Sequence, residues 1–339
     1  LEDHSAGRAD VLIHDLADEA FDGVVIPGGL GPEKLRQCPD VIHLVQSCYR
    51  RGKLCAAICH GQQVLISAGL MRGVYATAAW SMMDDLRAIG ATIPAGERAI
   101  RDGQIVTAIF PDDLPQFFHL ILAVFSEQEG REVPPGYPKR LSGKTWGIVV
   151  DTASDSVHVT YLRLRILEEG GMPVILGRHA GQSVPLSSPE WEWGEMGFDI
   201  GVERMLPDAG VIASCDTDAE ANNLAIAAEE LDGLLLPGGM GTWMIRGHPG
   251  LRELLVAMNA AHKPIAAIGR GPKLLLTTGV LDGRAITCAP QMRDDVIQAI
   301  APIEYRDEAC VLDDNLLTAR GTEDLPAFMR TLLSQFADW

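Results

Sequence analysis

Short apolar runs that end in glycine recur along this chain and set its architecture before any single residue is considered. Phe21-Asp22-Gly23-Val24-Val25-Ile26-Pro27-Gly28-Gly29 reads as a buried strand closing in a tight glycine loop. Leu54-Cys55-Ala56-Ala57-Ile58 is a second such run. It stops at Cys59-His60-Gly61, after which Gln62 to Ala68 carries helical spacing that Gly69 ends. Runs of this length without polar alternation suit strands covered on both faces of a parallel sheet. Between them, Pro32 to Cys48 places Leu35, Val41, Leu44 and Val45 at the spacing of one amphipathic helix. Ser81 to Ile89 is predicted helical with Asp84 and Asp85 outward, and Ala99 to Phe110 is predicted to be a hairpin turning at Asp102-Gly103. Asp112-Asp113-Leu114-Pro115 opens a helix through Phe125, its acids placed where the helix dipole favours them. Residues 1–20 are polar apart from Val11-Leu12-Ile13 and hold no complete strand–helix–strand unit.

Residues 127–142 are rich in proline, glycine and charge and read as a linker between a first domain, 1–126, and a second, 143–339. The second opens with a unit that the first lacks: a strand over Lys144–Val150, a helix over Ser156–Glu168 and a strand over Pro173–Gly177. Trp191, Trp193 and Phe198 fall in a stretch read as a long loop packed on the body rather than an aromatic binding platform. The chain then repeats itself. Leu231 to Gly239 restates Phe21 to Gly29 and Lys263 to Gly271 restates Lys53 to Gly61, both at an offset of 210 residues. Gly279 and Asp294-Asp295 keep that offset, and Asp324-Leu325-Pro326 follows one residue out of register, so the two halves are a duplication.

Composition narrows the function. The chain has 339 residues with 47% apolar and 22% charged, enough for two cores. A net charge of −18 argues against nucleic acid or an anionic membrane as partner. No stretch approaches the roughly 20 apolar residues of a membrane span, and Leu1-Glu2-Asp3-His4 is not a signal peptide. Seven cysteines without CxxC spacing suggest reduced thiols and a cytoplasmic protein. No cofactor is expected. There is no nucleotide-binding glycine fingerprint, and the nine histidines show no metal-ligand spacing; His43, His119 and His262 read as surface residues of helices.

The candidate chemistry lies at the end of the second run. Cys59 stands at a strand-to-helix turn, the carboxyl end of a strand where open α/β sheets put their sites. There, helix N–H groups stabilise negative charge on sulfur. His60 is the candidate proton partner, Gly61 allows the tight turn, and Cys55, inside the run, reads as an inert core residue. The duplication serves as an internal control: Gly269 and Arg270 replace Cys59 and His60, so the first half is the candidate active half and the second a scaffold or regulatory copy. Gly269-Arg270-Gly271 reads as a relic of the elbow rather than an anion site.

Pro27-Gly28-Gly29, Pro32-Glu33, Gly52-Lys53, Ala57-Ile58-Cys59-His60-Gly61 and Ile66-Ser67-Ala68-Gly69 with Arg72-Gly73 together resemble the DJ-1/PfpI (ThiJ/PfpI) superfamily, most closely its PfpI-like intracellular protease/amidase branch. The resemblance implies two tandem flavodoxin-like domains, three-layer α/β/α sandwiches of the class I glutamine amidotransferase kind. The first lacks its N-terminal βα unit in this chain: either roughly fifty residues precede Leu1 or the first site is incomplete. It further implies that Cys59 is a nucleophile and that the peptide N–H groups of Gly28, Gly29 and His60 form an oxyanion hole. Glu33, from a neighbouring subunit, would complete the set by orienting His60. In the second half Trp243 takes the place of Glu33, and Val157 or His158 falls where the family has a further acid. Two halves packed as a pseudo-dimer would set Cys59 and His60 against Trp243, and Glu33 against Gly269 and Arg270. An intact set would then require a homodimer of whole chains.

Two reactions fit the resemblance: addition of Cys59 to a 2-oxoaldehyde as in glyoxalase-like members, or attack on an amide or adduct carbonyl as in amidase, protease or deglycase-like members. The alternative is a non-catalytic redox-sensing or chaperone-like stress protein that uses Cys59. A glutamine amidotransferase would want a His-x-Glu pair after Cys59, and a transcription regulator a basic helix-turn-helix; neither pattern is present.

Overall fold

The computed structural model describes residues 10–16, 21–132, 139–187, 196–207 and 225–337. They divide into two compact units, 1–138 and 139–339.

In unit 1 the apolar runs form the strands of a four-stranded sheet. Strands β1 (Gly23–Ile26), β2 (Leu54–Ile58) and β4 (Ile105–Ala108) are parallel, β3 (Ala99–Asp102) pairs antiparallel with β4, and the order is β1-β2-β4-β3. All five residues of β2 are buried. Their alternation explains why the run shows no polar position: Leu54, Ala56 and Ile58 pack with Phe117, Ile121 and Val124 of the helix Leu114–Gln128, whereas Cys55 and Ala57 pack with Val45, Val64 and Leu65 on the other face. The predicted single helix over Pro32–Cys48 is instead two, α1 (Gly31–Leu35) and α2 (Pro39–Arg50). Pro39 has no N–H to continue α1 and holds Cys38 extended at φ −91° and ψ 113°, which breaks the helix although the apolar spacing runs on. Helices α3 (Gln62–Ser67), α4 (Met83–Ala88) and α5 (Leu114–Gln128) complete the unit. Helix α5 thus continues into the stretch read as linker.

Unit 2 begins before residue 143. Leu141 is wholly buried in its core, and Arg140 donates Nε and Nη2 to the buried Glu169 carboxylate at 2.9 and 2.6 Å. The extra unit predicted from the sequence is present as β5 (Thr145–Val149), α6 (Ser156–Glu168) and β6 (Met172–Gly177). A hairpin follows, β7 (Ser183–Ser187) with β8 (Met196–Gly201), then the short β9 (Arg204–Met205). Trp191 and Trp193 lie outside the described residues, as does the side chain of Phe198.

The repeated segments come next: β10 (Gly233–Leu236), α7 (Gly241–Ile245), α8 (Pro249–Ala260), β11 (Ile265–Ile268), β12 (Ala285–Ile286), α9 (Arg293–Ile297), β13 (Glu304–Tyr305), β14 (Cys310–Asp313), β15 (Leu316–Ala319) and α10 (Leu325–Phe336). The seven-stranded sheet runs β14-β15-β11-β10-β5-β6-β9, so its first four strands restate β3-β4-β2-β1 in that order. Strand β10 pairs with β5, whereas β1 is an edge strand among the described residues, with Val25 48% exposed. No helix among the described residues is long and apolar enough to cross a membrane.

Candidate active site

The turn after β2 is held from three sides. Cys59 takes φ +64°, a left-handed conformation that costs a residue with a side chain about 1–3 kcal/mol and persists only where the surroundings enforce it. Here its N–H donates to the Ala108 carbonyl at 3.0 Å, its own carbonyl accepts from the Ala79 N–H at 3.1 Å, and the Gly61 N–H closes the turn on the Ile58 carbonyl at 2.9 Å. Gln62, buried on the next position, donates Nε2 to the carbonyls of Ala57, Thr77 and Ala108 at 3.2, 2.8 and 3.0 Å, tying the elbow to both flanking segments.

The Pro-Gly-Gly loop approaches so closely that a Cβ on Gly28 would lie 2.5 Å from Cys59 Cβ and 3.0 Å from its Sγ. Gly29 follows at φ +75°. The N–H groups of Gly29 and His60 engage no acceptor among the described residues and stand on the two loops that meet at the thiol.

Cys59 and His60 are both partly exposed. His60 Nε2 lies 2.9 Å from Ser81 Oγ, a partner that the sequence reading missed. Its signal was the repeat itself, since Ala79-Trp80-Ser81-Met82 recurs as Ala289-Pro290-Gln291-Met292 with a polar residue kept at the third place. Glu33 sits exposed in the first turn of α1 behind the buried Pro32, and no hydrogen bond or ion pair joins it to His60 within the unit. Cys55 is fully buried, and burial, with Cys48 adding to it, pushes its thiol up to about 12. Among the described residues no group of three His, Cys, Asp or Glu side chains is arranged to hold a metal ion.

Unit 2 keeps the backbone of the elbow and replaces its side chains. Gly269 takes φ +65°, its N–H donates to Ala319 at 3.0 Å and its carbonyl accepts from Ala289 at 2.9 Å, the same bonds that hold Cys59. Of the two residues expected near the family's acid, Val157 is surface-exposed and His158 faces the elbow, where a Cβ on Gly269 would lie 3.0 Å from its Cε1. His158 Nδ1 accepts the Gly238 N–H at 3.1 Å, which assigns the ring proton to Nε2, 3.1 Å from Thr322 Oγ1. Trp243 is exposed, with Lys273 Nζ 4.3 Å from its ring centre, and Arg270 Nη1 lies 3.0 Å from Met240 Sδ.

Burial lowers the His158 value from the ordinary 6.5, against the opposing pull of Asp155. A histidine kept neutral in the fold charges more readily when unfolded. The unfolded chain therefore binds the extra proton first as pH falls through about 6.5, and stability drops until the folded value is passed. Melting of unit 2 is expected to shift down between pH 7.5 and 5.5 in the parent. His158→Gln should flatten that dependence; an equally steep one would assign it to other groups.

A partly exposed cysteine held left-handed at a strand-to-helix elbow, beside a glycine loop on a parallel sheet, marks the candidate site of a tandem flavodoxin-like α/β protein. Residues 3–124 and 199–335 match the model of the DJ-1/PfpI family, and the chain belongs to that family. Protein DJ-1 homolog D of Arabidopsis thaliana is 26% identical over 327 residues, which cover 93% of this chain and 77% of that protein. Protein/nucleic acid deglycase 2 of Escherichia coli is 37% identical over 115 residues, 33% of this chain and 67% of that enzyme. Drosophila melanogaster DJ-1beta superposes with a TM-score of 0.46 at 20% identity, covering 58% of this chain and 91% of that one.

Proposed function

We propose that unit 1 is the reactive half and that Cys59 is a nucleophile toward a small carbonyl or amide. The observation that carries this reading is the strained backbone of Cys59. Unit 2 holds the same φ with glycine, at no steric penalty, so the side chain in unit 1 is kept despite a cost. In addition to a carbonyl, the thiolate sulfur bonds to carbon and the carbonyl oxygen takes the negative charge, facing the N–H groups of Gly29 and His60. With a 2-oxoaldehyde, the hemithioacetal passes a proton from the first carbon to the second, and water releases the hydroxy acid from the resulting thioester. With an amide, the amine leaves with a proton from His60 and water hydrolyses the acyl-enzyme. Ser81 fixes the imidazole that carries these protons. The deglycase relatives lend support to the carbonyl-adduct reading.

Glu33 enters only across an interface between two copies of the chain, because nothing within unit 1 brings it to His60. Sedimentation of the full chain, with Glu33→Gln as control, tests this part: a monomer with undiminished activity removes Glu33 from the site.

The reading as a whole is tested by alkylation with iodoacetamide at pH 7, followed by peptide mass spectrometry. Cys59 is expected to react at least about 100-fold faster than Cys55, whose buried thiol yields almost no thiolate at that pH. Reaction of Cys59 no faster than Cys55 would overturn the nucleophile. A fast thiol that traps sulfenic acid yet turns over neither methylglyoxal nor an amide panel would instead favour the redox-sensing alternative.

A further inference from the structure

An aromatic pair stands on the two segments that grip Cys59. Trp80 is 70% exposed, and its ring meets that of Phe110 edge to face, with centroids 4.9 Å apart and planes at 80°. We propose that this pair receives a flat aromatic group on the substrate, so that aryl-substituted carbonyls or amides are preferred to methyl-substituted ones. This rests on the reading of Cys59 as the nucleophile and adds the substituent that its substrate carries.

Both rings ride on the bonds that fix the elbow. Trp80 lies between Ala79, whose N–H donates to the Cys59 carbonyl at 3.1 Å, and Ser81, whose Oγ is 2.9 Å from His60 Nε2. Phe110 comes two residues after Ala108, the acceptor of the Cys59 N–H, and packs against the same core cluster as Cys59. Its own backbone is pinned, because the Asp113 carboxylate accepts the Phe110 N–H at 2.8 Å and is held in turn by Arg98. An indole as exposed as Trp80 adds little to the core by burial.

The duplicate half shows what these places face. Trp80 and Pro290 each open a short 3-10 turn on the same backbone, Ala79 at φ −49° and ψ 145° and Ala289 at φ −53° and ψ 137°. Phe110 recurs as Gly321, two residues after Ala319, the acceptor of the Gly269 N–H. Leu30, 84% exposed next to Gly29, recurs as Met240. Pro290, Gly321 and Met240 line, together with Gly269, a cavity of about 630 Å³, within the roughly 300–1,000 Å³ of small-molecule sites. Where unit 2 has proline and glycine facing that space, unit 1 has indole and phenyl. A corner made by one ring's face and another's edge suits a third ring, which can offer an edge to the first and a face to the second. A methyl group can do neither, and a cation gains from a ring's face but not from its edge.

Competition among alkylating agents at Cys59 tests this. Iodoacetamide, N-phenyl iodoacetamide and N-cyclohexyl iodoacetamide each lose iodide to a thiolate. Their rates at Cys59 of the full chain are divided by their rates with glutathione, which cancels intrinsic reactivity. Cys59 is expected to favour the phenyl reagent over iodoacetamide by at least about tenfold, and over the cyclohexyl reagent by at least about threefold. Trp80→Ala should bring both ratios within about twofold of unity, while Trp80→Phe keeps a phenyl preference of about threefold or more. A change in the thiol alone moves neither ratio, and a melting curve checks the fold of each variant. Phe110→Leu should lower the phenyl preference several-fold. A fast Cys59 with no phenyl preference, an equal cyclohexyl preference, or a phenyl preference unchanged in both Trp80→Ala and Phe110→Leu would overturn the proposal and leave the nucleophile standing. If Cys59 instead reacts no faster than Cys55, the nucleophile falls, and calorimetry of acetanilide with the full Cys59→Ala chain decides the aromatic site. Saturation with a Kd near or below about 1 mM, weakened at least about tenfold by adding Trp80→Ala, would support it. No saturation, or equal binding with Trp80→Ala, would remove it.

Discussion

Replacing Cys59 by alanine is expected to reduce turnover of any 2-oxoaldehyde or amide substrate by at least about 1,000-fold, to the level of residual binding and oxyanion stabilisation. The size follows from the role: without the sulfur no covalent intermediate forms, and the two easier steps become one difficult one. Removing the thiol also relieves nothing in the backbone, because alanine at φ +64° is strained as cysteine is. Its melting temperature should therefore stay close to that of the parent, which separates loss of chemistry from loss of fold. Cys59→Gly is the instructive companion: it copies Gly269, should be equally inactive, and should be slightly more stable. His60→Ala is expected to cost about 100-fold through loss of proton transfer, and Ser81→Ala about 3- to 10-fold through a loosened imidazole. Turnover that survives Cys59→Ala would move the chemistry to another residue.

The elements that were legible in the sequence are those whose signal is local. The apolar runs of β1 and β2 end where their glycines do, and the elbow residues adjoin in sequence as they do in space. The helix over 32–48 was misread because its apolar spacing persists across Pro39, where backbone covalent geometry overrides side-chain periodicity. The start of unit 2 at residue 139 is hidden from the sequence for a similar reason. Composition made 127–142 look uniform, but Leu141 and Arg140 are committed to unit 2 by contacts with Glu169, far along the chain.

The site divides along the same line. Cys59, His60, Gly28 and Gly29 announce themselves by motif, whereas Ser81 reaches His60 only through tertiary packing. The cavity of unit 2 is assembled from segments as distant as His158, Arg270 and Thr322, and no window of sequence contains it. The role of His158 lay between the two: the family resemblance puts Val157 or His158 where an acid is expected, but only the fold shows an imidazole accepting the glycine-loop N–H there.

The second large effect concerns Gly61, where alanine is expected to destabilise unit 1 by about 2–4 kcal/mol. Gly61 adopts ordinary helical angles, φ −55° and ψ −28°, so the penalty is one of space and not of backbone strain. An added Cβ would overlap the Ile26 carbonyl oxygen and stand 3.0 Å from those of Ile58 and Pro27. These three oxygens belong to β2, to β1 and to the glycine loop, so none can yield without opening the parallel pair that carries the elbow. Gly69→Ala provides the contrast. At φ +77° with nothing near its Cβ, it should cost only about 1 kcal/mol, from conformation alone. In unit 2, Gly271→Ala should repeat the Gly61 result, because its Cβ would overlap the Leu236 carbonyl. Since two units need not unfold together, hydrogen exchange at β2 and β11 is the measurement that assigns each loss to its unit. Protection falling at β2 alone in Gly61→Ala, with Cys59 alkylation slowed as the elbow shifts, is the expected outcome. A Gly61 penalty no larger than that of Gly69 would mean that the loop and elbow are not in close approach, and the oxyanion geometry built on that approach would fall with it.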